Sequence, residues 1–468
     1  MADGAIHDSE ERRKAPKCME ETRVAVQEDI TSWIEAGDQS RTIMWVTGPA
    51  GAGKTAILGT IADACKEKGT LAAGFFFSAS ANGRKRRCLV PTLAYQLMNH
   101  GSFPRLREHI LSSLVQDPIM FKKDMKAQFN ALILNGLCRA THEPGGGNEA
   151  VPRLIIIDGL DECDEESDDQ SNPSAQAPTR TKEEEQEEIL SLLLLATTNP
   201  SFPFRILIAS RPEVCIRDFF DTDGKACTRK IFLDNKYDPD ADIALFYDAR
   251  FSIICRRFGI NPEDWPGKIA KRRLVRNASG QFIYAATTMR YLDGSTSQPH
   301  QRLEQILGLA PAKQSPLDTL DALYRLLLKA CPNPELSMKW LRATQMRNAA
   351  GEKSPVWLLR LVLEASPGEE NYALGSLASL LSTEHSGESL GQPYPFYHKS
   401  FLDFIEDPTR CTEGFLNEEE VLTWMAQRFF QTLDRRKPSS CVPLSQTNTH
   451  LKPFKPLHEM SCTAMQTF

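Results

Sequence analysis

The segment Gly48-Pro49-Ala50-Gly51-Ala52-Gly53-Lys54-Thr55 constrains this chain of 468 residues more than any other. It satisfies the pattern G-x-x-x-x-G-K-[ST], follows the apolar run Ile43-Met44-Trp45-Val46 and leads into Ala56-Ile57-Leu58. Strand, glycine-rich turn and helix in that order give the pattern physical meaning. Gly48, Gly51 and Gly53 let the backbone turn tightly, so that its N–H groups can face phosphate oxygens, and the helix N-terminus adds a favourable dipole. Lys54 is suited to neutralise β- and γ-phosphates, and the Thr55 hydroxyl to ligate Mg²⁺. The candidate phosphate-binding residues are therefore Gly48 to Thr55 together with Ala56.

A second segment, Leu154-Ile155-Ile156-Ile157-Asp158-Gly159-Leu160-Asp161-Glu162, is an apolar strand running into three carboxylates. Asp158 sits at the strand end, where sheet ligands collect, and Mg²⁺ takes only one or two carboxylates. Asp158 is the metal candidate beside Thr55. Asp161 or Glu162 can orient an attacking water. A solvated acidic loop is the bland alternative, since ten more acids follow up to Glu188. Arg211 follows a third apolar run, Arg205-Ile206-Leu207-Ile208-Ala209. A cation there can stabilise transferring phosphate charge, or simply cap a helix. His398, between aromatics in FYHKSFLDF, reads on its own as a packed core residue. The basic run Arg84 to Arg87 reads as a solvated loop, with an inter-subunit phosphate contact as the alternative.

Composition narrows the class. Hydrophobic residues make up 41% and charged residues 25%, the balance of an ordinary globular chain. A net charge of −6 gives no overall field favouring nucleic acid or an anionic membrane. No apolar run approaches the ~18 residues needed to span a bilayer, and the first 17 residues have no signal-peptide core. The twelve cysteines include no C-x-x-C pair, so a zinc or redox motif has no support, and reduced thiols in a cytoplasmic setting fit best.

Strand patterns fall at 42–47, 71–77, 153–157 and 205–209, with a possible fifth at 231–233; helical patterns lie between them. Such alternation predicts an α/β fold with a parallel sheet covered on both faces. The expected organisation is a disordered stretch over 1–17, then a P-loop domain over 18–237 with an acidic insertion at 164–182. A helical region over 238–330, a mixed region over 331–435 and an irregular tail over 436–468 follow. No repeat of 20–50 residues is evident.

In this order the motifs resemble those of the NACHT family of signal-transducing (STAND) P-loop NTPases, most closely the fungal members with a nephrocystin-like N-terminal NTPase domain. GPAGAGKT resembles the family's Walker A and LIIIDGLDE its Walker B. ILIASRPE resembles its sensor strand and arginine, YHKSFLDFIEDPTRC its H-x-S-F segment, and CMEETRVAVQEDITSWI its lead-in helix. The resemblance implies a helical lid over 238–330, a winged-helix-like domain over 331–435, and ATP/ADP with Mg²⁺ as ligands. It implies that Arg211 reads the γ-phosphate and that His398 contacts the β-phosphate of ADP. The segment Ser279-Gly280-Gln281-Phe282 lacks the proline that packs on the nucleotide in many relatives. No effector domain is expected before the NTPase and no sensor repeats after it.

The leading functional expectation is an NLR-like, ADP/ATP-gated signalling switch that hydrolyses ATP slowly. Its expected partners are a second copy of itself or longer NACHT relatives when ATP-bound, not nucleic acid or membrane. An active ATPase or phosphotransferase, and a truncated binding partner with a structural nucleotide, are the alternatives.

Overall fold

The computed structural model describes residues 1–13, 15–36, 40–82, 84–141, 153–163, 180–233, 235–294, 298–309, 316–348, 352–383, 390–412 and 414–435. Most of the acidic insertion, 164–179, and the tail from 436 lie outside the described residues.

Five strands form one sheet: β1 (Ile43–Thr47), β2 (Leu71–Phe76), β3 (Leu154–Asp158), β4 (Arg205–Ser210) and β5 (Thr228–Phe232). Their order is β2-β3-β4-β1-β5, and every neighbouring pair is parallel. The fold is α/β, with a helical C-terminal region.

An all-parallel sheet must bury both faces, so its strands read as continuous apolar runs. Alternate residues then go to opposite sides. Ile43, Trp45, Ile155, Ile157, Ile206 and Ile208 pack with helices Leu89–Asn99 and Lys182–Thr198. Met44, Val46, Leu154, Ile156, Leu207 and Ala209 pack with helices Val24–Glu35 and Lys54–Glu67. Each buried Ile or Leu contributes roughly 1.5–3 kcal/mol relative to exposure. The register sets Thr47 beside Ser210 and Asp158 beside Ala209, which aligns the C-terminal ends of β1, β3 and β4.

From Pro239 the chain is helical. Pro239–Phe258, Lys268–Ala278, Phe282–Leu292, Pro299–Leu307 and Pro316–Lys329 come first. Pro334–Ala343, Val356–Leu363, Glu369–Leu374, Lys399–Glu406 and Glu418–Arg435 follow, with two isolated antiparallel bridges, Arg347 to Lys353 and Leu381 to Phe396. One continuous apolar core runs from Ile243 to Met425. It joins the sheet domain through helix Phe282–Leu292, whose Ile283 N–H donates to the Gly51 carbonyl at 3.3 Å.

Two expectations are corrected. Residues 1–13 and 15–17, which the structure describes, are not disordered. Asp3–Ala5 and Glu10–Arg12 are short 3-10 turns, and Ala2 and Ala5 are buried in the sheet's core. The Ala2 N–H donates to Thr92 Oγ1 at 2.9 Å, Lys17 pairs with Asp63, and the Arg12 guanidinium stacks on Phe76 at 3.6 Å. Three-residue turns have no periodicity to read, and small alanines carry little hydropathy signal. The basic run Arg84 to Arg87 is not a solvated loop either. Arg84 pairs with Glu11, Arg86 with Glu185 and Glu188, and Lys85 is buried.

Arg12→Ala removes both the stack on Phe76 and the packing of a buried side chain. It is expected to lower stability by about 1–2 kcal/mol, read as a lower melting temperature of the nucleotide-free chain. An unchanged melting temperature would show that this arm adds nothing to the sheet's packing.

Candidate functional site

A cavity of about 400 Å³ opens at the C-terminal ends of β1, β3 and β4, where open α/β sheets bind ligands. Its floor is the loop between β1 and helix Lys54–Glu67. Gly51 there has φ +76°, and a Cβ on it would lie 2.1 Å from Ile283 Cγ2, so only glycine fits under the C-terminal region. The helix starts at Lys54, which leaves its first amides without intrahelical acceptors and aimed at the cavity. Lys54 Nζ donates to the Gly48 and Pro49 carbonyls at 2.9 and 3.0 Å. Burial lowers its pKa to about 8 against the pull of Asp161. An anionic phosphate beside it would raise that value again.

Asp158, at the end of β3, is almost wholly buried and accepts a hydrogen bond from the Thr55 hydroxyl. Its Oδ1 has no hydrogen-bond partner, and burial raises its pKa to about 6. A buried carboxylate oxygen without a partner, beside a threonine hydroxyl at the P-loop, fits a divalent cation shared with phosphate oxygens and water. Among the described residues no cluster of three or more His, Cys, Asp or Glu could hold a metal unaided. A cation at Asp158 and Thr55 would therefore need ligands from a bound phosphate or from water.

Asp161 and Glu162 differ in surroundings. Asp161 accepts from the Arg211 N–H at 2.9 Å, and its Oδ2 lies 3.2 Å from Arg211 Nε. Burial alone would raise its pKa, but Arg211, Lys399 and Lys54 beside it hold the carboxyl below its ordinary value. Glu162 accepts from the Ala79 N–H at 3.0 Å through Oε2. Burial, then the charge of Asp161, pushes its pKa up. Gly159, at φ +72°, brings both carboxylates round the strand end; a Cβ there would lie 3.2 Å from the Phe77 carbonyl.

Arg211 is no simple helix cap. Beyond its two bonds to Asp161, its Nη1 donates to Asp403 Oδ2 at 2.5 Å, on helix Lys399–Glu406. Lys399 Nζ donates to the Asp161 carbonyl at 2.9 Å. Behind Glu162, Lys353 donates to the Ala79 carbonyl at 2.8 Å and so ties the helical region to the loop after β2.

His398 lines the cavity and caps helix Lys399–Glu406. Its Nδ1 accepts from the Ser400 N–H at 3.0 Å and lies 2.7 Å from Ser400 Oγ, which itself lies 2.8 Å from Tyr324 Oη. A backbone N–H can only donate, so the proton of the neutral ring sits on Nε2. Burial, with Arg211 and Lys54 nearby, lowers the pKa to about 3, so the ring stays neutral. His398 is thus a donor rather than a cation.

Ala50, Gly51, Gly53, Lys54, Thr55, Ala56, Asp158, Asp161, Glu162, Arg211 and His398 all line this one cavity. Gly48, Pro49 and Ala52 shape the loop without lining it: Gly48 packs under Leu233, Pro49 is exposed and Ala52 is buried in the core. Sequence reading missed Arg23, Phe246, Phe282, Arg290, Lys399 and Asp403. Arg23 donates to the Ala52 carbonyl at 2.9 Å and stacks on Phe282, and Arg290 stacks on Tyr397 at 4.4 Å. Lys399 and Asp403 sit inside the H-x-S-F segment and could have been suspected there. Arg23 sits inside the lead-in segment and could have been suspected in the same way, whereas Arg290 lies on an unremarkable helical pattern and gives no signal.

A parallel sheet of this order with a glycine-rich phosphate loop after β1 and a carboxylate at the end of β3 defines a P-loop nucleotide-binding NTPase. Residues 23–211 match the family described as Nephrocystin 3, N-terminal. That match spans the P-loop domain and agrees with the family its motif order resembles. No curated protein matches the sequence. Among solved structures, a Signal Transduction ATPase with Numerous Domains with a tetratricopeptide repeat sensor, from Pyrococcus horikoshii, is 13% identical with a TM-score of 0.43. The match covers 91% of this chain and 47% of that one, so this chain spans about half of that protein's length. AMPPCP-bound DnaA from Aquifex aeolicus is 15% identical over 88% of this chain and 96% of its own, with a TM-score of 0.25. Among the described residues no helix is long and apolar enough to cross a membrane.

Asp158 generates a pH prediction. Its folded pKa of about 6 exceeds its ordinary value of 3.8, so the folded chain keeps a proton that the unfolded chain has lost. Its penalty is absent below the unfolded value, grows as pH rises between the two, and is complete above the folded value. Asp158→Asn is expected to stabilise the nucleotide-free protein by about 1–3 kcal/mol at pH 8, with the gain vanishing toward pH 4. Melting temperatures of both proteins across that range check it, and a gain independent of pH would refute the assignment.

Proposed function

We propose that this chain is a nucleotide-gated switch that binds ATP with Mg²⁺, hydrolyses it slowly, and couples the state of the γ-phosphate to the seating of its C-terminal helices. The observation that carries this reading is the construction of one cavity from both halves of the chain. The P-loop, Asp158, Asp161, Glu162 and Arg211 come from the sheet domain, and Ile283, Arg290, Tyr397 and His398 from the helical region. A switch needs such a shared cavity, because the ligand's state must be felt by both halves.

In this reading the region over 238–330 acts as a lid and 331–435 as a winged-helix-like latch. The loop amides and Lys54 hold the α-, β- and γ-phosphates, and Thr55 and Asp158 hold Mg²⁺. When bound, Mg²⁺ neutralises charge on the β- and γ-phosphate oxygens. His398 Nε2–H donates to the β-phosphate. Phe246, Phe282 and Arg23 supply an apolar and cationic wall suited to a purine.

Of the two candidate bases, Glu162 is the better placed chemically. Both oxygens of Asp161 are occupied by Arg211, while Glu162 has a raised pKa that suits proton acceptance near neutrality. Glu162 takes a proton from water as the water oxygen bonds to the γ-phosphorus. The bond to the β,γ-bridging oxygen breaks, leaving ADP and inorganic phosphate. Arg211 stabilises the transferring charge. Moving such a switch from 1:99 to 99:1 needs about 5.5 kcal/mol of differential affinity between its two states. Opening of the helical region would free surface for a second copy or a longer relative.

Lys54→Ala should weaken nucleotide binding on the order of 100-fold, measured by calorimetric titration, and abolish any ATP-dependent rise in mass by light scattering. Glu162→Gln should keep ATP binding and lower the hydrolysis rate about 100-fold or more. Fast steady turnover by the unaltered chain, with no nucleotide-dependent change in mass, would sink the switch reading.

A further inference from the structure

We propose that Asp403 sets the preference of this site between nucleoside diphosphate and triphosphate, by competing with the γ-phosphate for the guanidinium of Arg211. The proposal rests on the nucleotide-switch reading above and assigns the diphosphate preference to one side chain.

Arg211 lies between two carboxylates from different parts of the chain. Nε faces Asp161 Oδ2 at 3.2 Å and Nη1 donates to Asp403 Oδ2 at 2.5 Å. Asp161 belongs to the wall of the phosphate site, and its position is fixed by the end of β3 and by the Arg211 N–H. Asp403 belongs to helix Lys399–Glu406, and among the described residues of the sheet domain Arg211 alone bonds its carboxylate. The same helix begins at His398, which lines the cavity, and its Lys399 donates to the Asp161 carbonyl. One helix therefore carries three polar side chains converging on the Asp161–Arg211 corner.

Arg211 and Asp403 are both about a quarter exposed, so neither charge is fully hydrated. A guanidinium offers a planar fork of donors that suits carboxylate and phosphate alike. A diphosphate leaves the Arg211–Asp403 bond intact. A third phosphate next to Arg211 claims the same donors and sets a second anion beside Asp403, and like charges at that range repel. The balance can be relieved only by giving up the third phosphate or by withdrawing Asp403 with its helix. Asp403 is thus a positioning residue: it acts through Arg211 and tilts the site toward diphosphate while the helix is seated.

The test is the ratio of ADP to ATP affinity, measured by calorimetric titration of the full chain with Mg²⁺ and a non-hydrolysable ATP analogue. Asp403→Asn, which keeps size but removes the competing charge, should shift the ratio about tenfold toward the triphosphate, a coupling typical between linked sites. Asp403→Glu should restore the wild-type ratio. In an Arg211→Ala background, Asp403→Asn should leave the ratio where Arg211→Ala put it. A purely structural role would lower both affinities together and leave their ratio unmoved. An unmoved ratio in a folded Asp403→Asn protein overturns the proposal while leaving the nucleotide switch standing. Failure of the unaltered chain to bind either nucleotide overturns the switch reading, and this inference with it.

Discussion

The ion pair between Asp161 and Arg211 joins the end of β3 to the end of β4, and much of the site is arranged around it. Asp161 is buried, and it is stable as an anion because Arg211 meets it through both a backbone N–H and Nε. Removing one partner of such a pair strands the other charge, at a cost of about 3–5 kcal/mol. The pair also helps seat helix Lys399–Glu406, since Asp403 and Lys399 bond to its two members. A local constraint at two strand ends therefore reaches the docking of a helix almost 200 residues further along the chain.

The rest of the cavity holds its charges at a disadvantage. Burial pushes Asp158 up to about 6 and Lys54 down to about 8, raises Glu162, and keeps His398 neutral. None of these shifts helps the empty fold, and each reports a group less well solvated than in water. Perturbed groups of this kind cluster where a ligand completes the electrostatics. In the proposed nucleotide complex, phosphate oxygens would meet Lys54 and His398 Nε2–H, and a divalent cation would meet Asp158. In that reading, the stability forgone by the free protein would become binding energy for the nucleotide.

The parallel sheet was legible because β1 to β4 are buried on both faces and so spell continuous apolar runs. β5 showed less, since Arg229 and Lys230 interrupt its apolar pattern at the sheet edge and only its end was read. The arm at 1–17 was misread because its order depends on alanines and paired charges, which have meaning only against their partners on the sheet. The site divided the same way. Motif residues at strand ends could be named from spacing alone, while Arg290 could not, because nothing local to it is unusual.

By itself the sequence determined that strand, glycine loop and helix would make a phosphate cradle, and that a carboxylate would stand beside it. These are short-range facts, set by glycine's freedom at positive φ, by the orphan amides of a helix start and by apolar runs long enough for a buried strand. Only the tertiary structure decided which of two neighbouring carboxylates is tied to Arg211, which ring nitrogen of His398 carries the proton, and that Asp403 shares the same arginine. Those outcomes depend on groups from distant parts of the chain meeting in one low-dielectric space, where a single hydrogen bond fixes charge and tautomer. No spacing along the chain encodes such a meeting.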